Sequence, residues 1–390
     1  MTAVTPPETT GVFDAIETVR PVIEASIERA EADLRLPPNV MDAIVQAGLL
    51  RAWVPKDLGG LEADLKTGMR MIEAVSRIYG SAGWVFANMT AASGQTAFLS
   101  PEMRAEIFAD PRGFVNAGSV ASMGRAVPDG DGYRLTGQWR LASGCHHANW
   151  LGGAALIFDG EAPRMGPGGM PDVKLMLFRP EDSEILDTWN PLGMRGTGST
   201  DFRLDNVYIP GHRMFSVLTA PPLAGGPMYQ AGVLVMFSLA LAAVFPGIAQ
   251  AGIDAFVDLA GGKTPTMSQT TLGSRPTVHA EVARAVTLVQ SARAYLYEVA
   301  DELMESLRSG AGIPEELEIK RRLACVNAGE SCLSAVNMVF TLAGTSSIQA
   351  GHPLERCMRD IRTAGQHFLV APAWLEKTGQ YYFGHGLAML

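Results

Sequence analysis

The chain has 390 residues, enough for two or three packed units around a large buried core. Hydrophobic residues make up 47% and charged residues 18%, which excludes a disordered or linker-like protein and points to extensive burial between domains or subunits. Asp plus Glu (40) exceed Lys plus Arg (31), a formal charge of -9, so a broad basic face for nucleic acid is excluded and no nucleic-acid partner is expected.

From Phe13 to Phe108 the apolar spacing is helical. Pro37-Pro38 lead into a stripe of Val40, Met41, Ile44, Val45 and Leu49. Lys66 to Tyr79 repeats the pattern, and Ala82 to Leu99 is nearly uncharged and therefore buried on most sides. Ser100-Pro101 caps and opens a helix over Glu102 to Phe108. Near residue 112 the period changes. Val115 to Val120, Tyr133 to Trp139, Trp150 to Phe158, Val173 to Phe178 and Phe202 to Ile209 read as strands of a small barrel or sandwich. Pro128-Asp-Gly-Asp-Gly-Tyr133 is the clearest hairpin turn. After Pro221-Pro222 come long helical stretches, Tyr229 to Leu259, Pro276 to Leu307, Pro314 to Leu342 and Leu354 to Leu369, with a shorter tail over Trp374 to Phe383.

The run Ala231 to Gln250 is the one stretch to weigh as a membrane span. Ser238, Pro246 and Gly247 within it favour a buried bundle helix, so no membrane is expected. Cys145, Cys325, Cys332 and Cys357 form no CxxC pair, and no charged start leads into an apolar signal core. The expectation is free thiols in a reducing cytoplasm. The seven histidines come with no HExxH, Glu-x-x-His or Cys/His pair at ligand spacing, so no metal is expected. No GxGxxG opens a βαβ unit and there is no P-loop, which leaves the chain without a nicotinamide-binding fingerprint.

Two constellations remain. Leu141-Ala-Ser-Gly-Cys-His-His-Ala-Asn-Trp150 is a polar turn between strands, and it either satisfies its own hydrogen bonds or lines a pocket. Arg356-Cys-Met-Arg-Asp-Ile-Arg-Thr-Ala-Gly-Gln-His367 is a charged helix in an apolar bundle. Arg356, Arg359 and Asp360 suit an internal ion-pair network. His367, two turns beyond Asp360 on roughly the same face, is either a pocket residue or a capping or core histidine.

Arg195-Gly-Thr-Gly-Ser-Thr-Asp201, Asp205-Asn-Val-Tyr-Ile-Pro210 and Pro353-Leu-Glu-Arg-Cys-Met-Arg-Asp360, on a helix, strand, helix plan, resemble the acyl-CoA dehydrogenase superfamily from about Phe13 to Gly384. The resemblance implies a mainly α fold with a β insert: an N-terminal helical domain (1–111), a middle β-barrel domain (112–222) and a C-terminal four-helix bundle (223–390). In the dehydrogenases the last motif runs on into Tyr-Glu-Gly-Thr, whose glutamate removes the α-proton of the acyl thioester. Here the matching stretch is Gly365-Gln-His-Phe-Leu-Val-Ala371, which offers no carboxylate. With the Ser-Gly-Cys-His-His-Ala-Asn-Trp loop, it is similar instead to the oxygenase components of two-component (group D) flavin-dependent monooxygenases, such as the 4-hydroxyphenylacetate, secosteroid and dibenzothiophene monooxygenases.

That resemblance implies reduced FMN or FAD delivered by a separate NAD(P)H:flavin reductase, reaction with O2 through a C4a-hydroperoxyflavin, and oxygenation of a small aromatic or apolar substrate. Ser143 matches the family serine near flavin N5, and His367 matches the histidine facing the reactive edge, where a near-neutral pKa would polarise a substrate hydroxyl. Lys263 or Arg275, flanking the connection after the first bundle helix, is the cation for the flavin phosphate. Trp84, Trp139 and Trp150 are candidate ring neighbours, and Arg195 and Ser199 sit in a loop placed to cover the flavin. A homotetramer is expected. The alternative is an atypical FAD-dependent acyl-CoA dehydrogenase or related flavin oxidase.

Overall fold

The computed structural model describes residues 11–166 and 169–387. Its first helices follow the apolar stripes closely. Helix α1 (Val12–Asp33) buries Val12, Ile16, Val19, Ile23 and Ala30, positions three, four or seven apart, and ends where Leu34 turns left-handed at φ 56°. Helices α2 (Pro38–Gln46), α3 (Leu65–Ile78), α4 (Gly80–Gly94) and α5 (Pro101–Phe108) follow. Pro38 and Pro101 each stand in a first turn, where the missing N–H costs nothing. The Ser100 hydroxyl accepts from the Met103 N–H at 3.1 Å, the cap its sequence announced.

The strands are β1 (Asn116–Asp129), β2 (Gly132–Ala142), β3 (Trp150–Asp159), β4 (Ala162–Pro163), β5 (Val173–Phe178), β6 (Glu184–Leu186), β7 (Thr200–Pro210) and β8 (Met214–Phe215). They form one sheet in the order β6-β7-β2-β1-β3-β5-β8, with β4 paired to β3. The β1–β2 hairpin closes where Asp129 faces Gly132, with Gly130 at φ 61° in the turn. β1 and β3 run parallel, and their register shifts between Ser119 and Gly124. The sheet curls far enough that Phe178 on β5 meets Phe202 on β7 at 5.7 Å, although β2, β1 and β3 separate these strands in the pairing order. The curl encloses a core of Leu135, Trp139, Leu151, Ile157, Met176, Phe178 and Phe202.

The last third is helical: α6 (Val233–Ala242), α7 (Val244–Gly262), α8 (Pro276–Arg308), α9 (Glu315–Ala343), α10 (Pro353–Ala364) and α11 (Ala373–Gly379). Two expectations need correction here. The single helix over Tyr229 to Leu259 is broken at Ala243, because Pro246 in the first turn of α7 has no N–H to give the Ala242 carbonyl. The helix expected to run to Leu369 stops at Ala364, where Gly365 begins a looser turn. Two stretches, Val233–Gly262 and Glu315–Ser346, are long and apolar enough to cross a membrane, and 78% of the most apolar window of the first is buried in the protein.

The chain makes two compact units. One contains residues up to 64, 88–190 and 196–237. The other contains 65–87, 191–195 and the residues from 238 onward. The sheet belongs to the first and α7 to α11 to the second.

Candidate active site

In the first unit the loop after β2 turns sharply, with Leu141 at φ 63° and Gly144 at φ 77°. It is fastened to the segment before β7 by the Gly144 N–H, which donates to the Thr197 carbonyl at 2.9 Å. The two segments share a line of hydroxyls. Ser143 Oγ lies 2.7 Å from Ser199 Oγ, which lies 2.6 Å from Thr197 Oγ1. All three are buried, with exposures of 8, 4 and 1%. Cys145 is held alongside, its Sγ 3.0 Å from Thr200 Oγ1, and burial pushes its thiol pKa up. His147 in the same loop is pushed down to about 4, first by burial and then by its neighbour His146.

In the second unit His367 lies beyond the end of α10, in a turn where its own N–H donates to the Ala364 carbonyl at 3.2 Å. It is therefore not on the helix face that the Asp360 spacing suggested. Its ring meets Trp84 edge-on at 5.7 Å and stacks on Phe368 at 5.0 Å. Burial in this aromatic slot pushes its pKa down to about 4, so the near-neutral value expected from sequence is not met. The Leu369 N–H donates to Nδ1 at 3.3 Å, which places the proton of the neutral ring on Nε2.

The segment Pro191 to Arg195 docks on α10. The Asp360 carboxylate, 1% exposed, accepts the Met194 N–H at 2.6 Å, and the Arg359 guanidinium donates to the Leu192 carbonyl at 3.0 Å. Met194 is left-handed at φ 55°, and a Cβ at Gly193 would collide with the Arg359 carbonyl. Asp360 thus serves a backbone amide, while Arg359 pairs with Glu355 and Arg356 lies 5.7 Å from the Tyr79 ring. Sequence reasoning grouped these three as an internal ion-pair network and did not see that Asp360 and Arg359 also hold this loop. Arg195 Nη1 reaches the Pro191 carbonyl at 3.4 Å.

The remaining candidates separate. Trp139 is fully buried in the sheet core, stacked 5.2 Å from Phe202 with its N–H on the Ala154 carbonyl at 2.8 Å, and Gly153 leaves room for its ring. That packing leaves it no face for a planar ligand, a correction to its expected place beside the flavin. Trp150 is likewise buried and has the Arg179 guanidinium 3.8 Å from its ring centre. Lys263 Nζ is committed to Ser346 Oγ at 2.8 Å and to the Ala343 carbonyl at the end of α9. Arg275, the residue before α8, has a half-buried side chain without a salt-bridge partner among the described residues. Among the described residues no group of three His, Cys, Asp or Glu could hold a metal ion.

Residues 14–110 match the acyl-CoA dehydrogenase N-terminal domain, and residues 239–372 match the acyl-CoA dehydrogenase C-terminal domain. Indole-3-acetate monooxygenase from Pseudomonas putida is 30% identical over 347 residues, covering 89% of this chain and 87% of that protein. The chain belongs to the acyl-CoA dehydrogenase family. Within this family, the oxygenase subunit HsaA of the flavin-dependent monooxygenase from Rhodococcus jostii is 28% identical, covering 90% of this chain and 92% of that protein. The structure of XiaF from a Streptomyces species, in complex with FADH2 and glycerol, superposes with a TM-score of 0.90 at 25% identity, covering 98% of this chain and 97% of that one.

Proposed function

We propose that this family member is the oxygenase component of a two-component flavin-dependent monooxygenase, using reduced FMN or FAD and O2 to oxygenate a small aromatic substrate. The observation that carries the reading is His367. Where a dehydrogenase needs a carboxylate base, this chain has a neutral imidazole in an aromatic slot, and Gly365 to Ala371 hold no acid. Burial also disfavours the imidazolium that proton abstraction from carbon would leave on this ring, and the ring carries no negative charge of its own. The same ring can donate from Nε2 to a substrate oxygen while Trp84 and Phe368 give an aromatic body an apolar surface. The named activity of the indole-3-acetate monooxygenase relative supports an aromatic substrate.

The residues fit a flavin. The buried Ser143 hydroxyl suits the polar edge of an isoalloxazine ring, and Arg275, which has no salt-bridge partner among the described residues, suits a phosphate better than Lys263, which is spent on α9. When bound, flavin supplies the redox chemistry that activates dioxygen. The chain's part is to orient Ser143 Oγ, to keep the His367 proton on Nε2 and to exclude water from both.

A separate NAD(P)H:flavin reductase, a homotetramer and a cytoplasmic location complete the proposal. All four cysteines are free and buried, and Tyr382 and Phe383 are 67 and 81% exposed, which suits burial against another copy. The test is anaerobic loading with FMNH2 or FADH2, then oxygen and a panel of indoles and phenols, with products analysed by mass. Oxygenated product that needs reduced flavin, and no NADH consumption by the chain alone, is the expected result. Tightly bound oxidised FAD that acyl-CoA reduces would overturn it.

A further inference from the structure

We infer that Ser199, backed by Thr197, is a positioning residue that acts through Ser143 and does not itself touch the cofactor. The inference rests on the flavin reading above and deepens it. The sequence placed Ser199 in a loop covering the flavin. The structure puts its Oγ between two other hydroxyls, 2.7 Å from Ser143 and 2.6 Å from Thr197. Each hydroxyl has one proton and two lone pairs, so the middle member can donate to only one of its neighbours and must accept from the other.

Two of the arrangements open to it run all three hydroxyls in one direction. In one, Thr197 donates to Ser199 and Ser199 to Ser143, so that Ser143 can give its own proton to an acceptor. In the other, Ser143 accepts from an outside N–H and donates to Ser199, which donates to Thr197, whose own O–H donates to a further acceptor. Exchange between them rotates three O–H bonds and transfers no proton, so no buried charge is made. Flavin N5 asks for both states, since it carries a hydrogen in the reduced ring and is a bare acceptor in the oxidised one. A lone serine can rotate too, but a buried one without a hydroxyl neighbour is left with an unmatched lone pair or proton in one of the two states. Ser199 and Thr197, at 4 and 1% exposure, are too buried for bulk water to replace a missing link.

The experiment compares Ser143→Ala, Ser199→Ala, the double variant, Thr197→Val and Thr197→Ser, with FMN as the probe. Dissociation constants for oxidised and reduced FMN are measured by anaerobic titration, and the return of oxidised-flavin absorbance and hydrogen peroxide yield are followed after oxygen is admitted. Melting curves control for folding. Ser143→Ala is expected to speed the return by roughly 10²- to 10³-fold, as for loss of one preorganised donor. Ser199→Ala should speed it about tenfold, the worth of one oriented hydrogen bond, and should shift the ratio of the two dissociation constants in the same direction as Ser143→Ala. Thr197→Val should act in the same sense and more weakly, and Thr197→Ser should behave as the parent. The double variant should match Ser143→Ala alone, because a residue acting through Ser143 has nothing left to act on. Additive effects, or weaker FMN binding on adding Ser199→Ala to Ser143→Ala, would overturn the inference by showing that Ser199 acts on its own. An inert Ser143→Ala would instead remove the flavin reading of Ser143, and the positioning role with it.

Discussion

The Ser143 loop and the His367 turn hold their side chains by different forces. Ser143 is fixed by directional bonds: a line of hydroxyls, an amide on the Thr197 carbonyl and two left-handed residues. His367 is fixed by ring packing against Trp84 and Phe368 and by one long hydrogen bond to Nδ1. In the first arrangement either member of each hydroxyl pair can be the donor without moving from its place. The second keeps one protonation state, because an apolar slot penalises the imidazolium. Adaptable polarity and fixed neutrality are separate chemical properties, and the chain builds them from separate materials.

The comparison breaks most visibly at His367. Replacing it by Ala should lower the yield of oxygenated product per flavin by about 10²- to 10⁴-fold if its Nε2–H assists the reaction, with flavin affinity held within a few-fold. Single-turnover product analysis checks this, and an unchanged yield would reduce His367 to a core residue. Next in size is a stability effect. Trp139→Ala should cost about 3–5 kcal/mol in urea unfolding, because it empties the sheet core, whereas Trp139→Phe should leave FMN affinity near the parent value. A large loss of affinity in Trp139→Phe would return that indole to the cofactor.

Arg275 and Lys263 sharpen the contrast between a group without a salt-bridge partner among the described residues and a spent one. Arg275→Ala should raise the FMN dissociation constant about 10- to 100-fold, the worth of a charge-assisted hydrogen bond, while Lys263→Ala should mainly lower the melting temperature. Riboflavin, which has no phosphate, should bind parent and Arg275→Ala alike. The smallest effect is in pH. His147 and His367 both have folded pKa values of about 4, below the ordinary 6.5. Between about pH 6.5 and 4 the unfolded chain therefore binds more protons, and stability falls as pH falls through that window. Melting curves should show the decline, flattened in part by His367→Gln.

Much of the fold is legible in the sequence because it follows from local rules. The Ser100-Pro101 start of α5, the hairpin at Asp129 and Gly132 and the extents of α8 and α9 each depend on a few adjacent residues or on one apolar stripe. The parallel pairing of β1 with β3 could not be read this way, since alternation within a strand says nothing about its neighbour's direction. The end of α10 before His367 was hidden because Gly365 tolerates a helix as well as a turn. The candidate site was legible as residue types in unusual loops, Ser143 and His367 above all. Their partners were not: Ser199 is 56 positions from Ser143, and Asp360 is 166 from Met194.

By itself the sequence determined the helix, strand, helix plan, the absence of a carboxylate at Gly365 to Ala371 and the clustering of polar groups around Ser143, because each is a matter of which residues are present and how closely they follow one another. Tertiary structure alone decided which tryptophan fills a core and which meets His367, which cation is already spent, and that Ser199 stands between two hydroxyls. These depend on distances between residues far apart in the chain. They are set by how the sheet curls and the helices pack, through interactions that act over a few ångströms of space regardless of separation along the sequence.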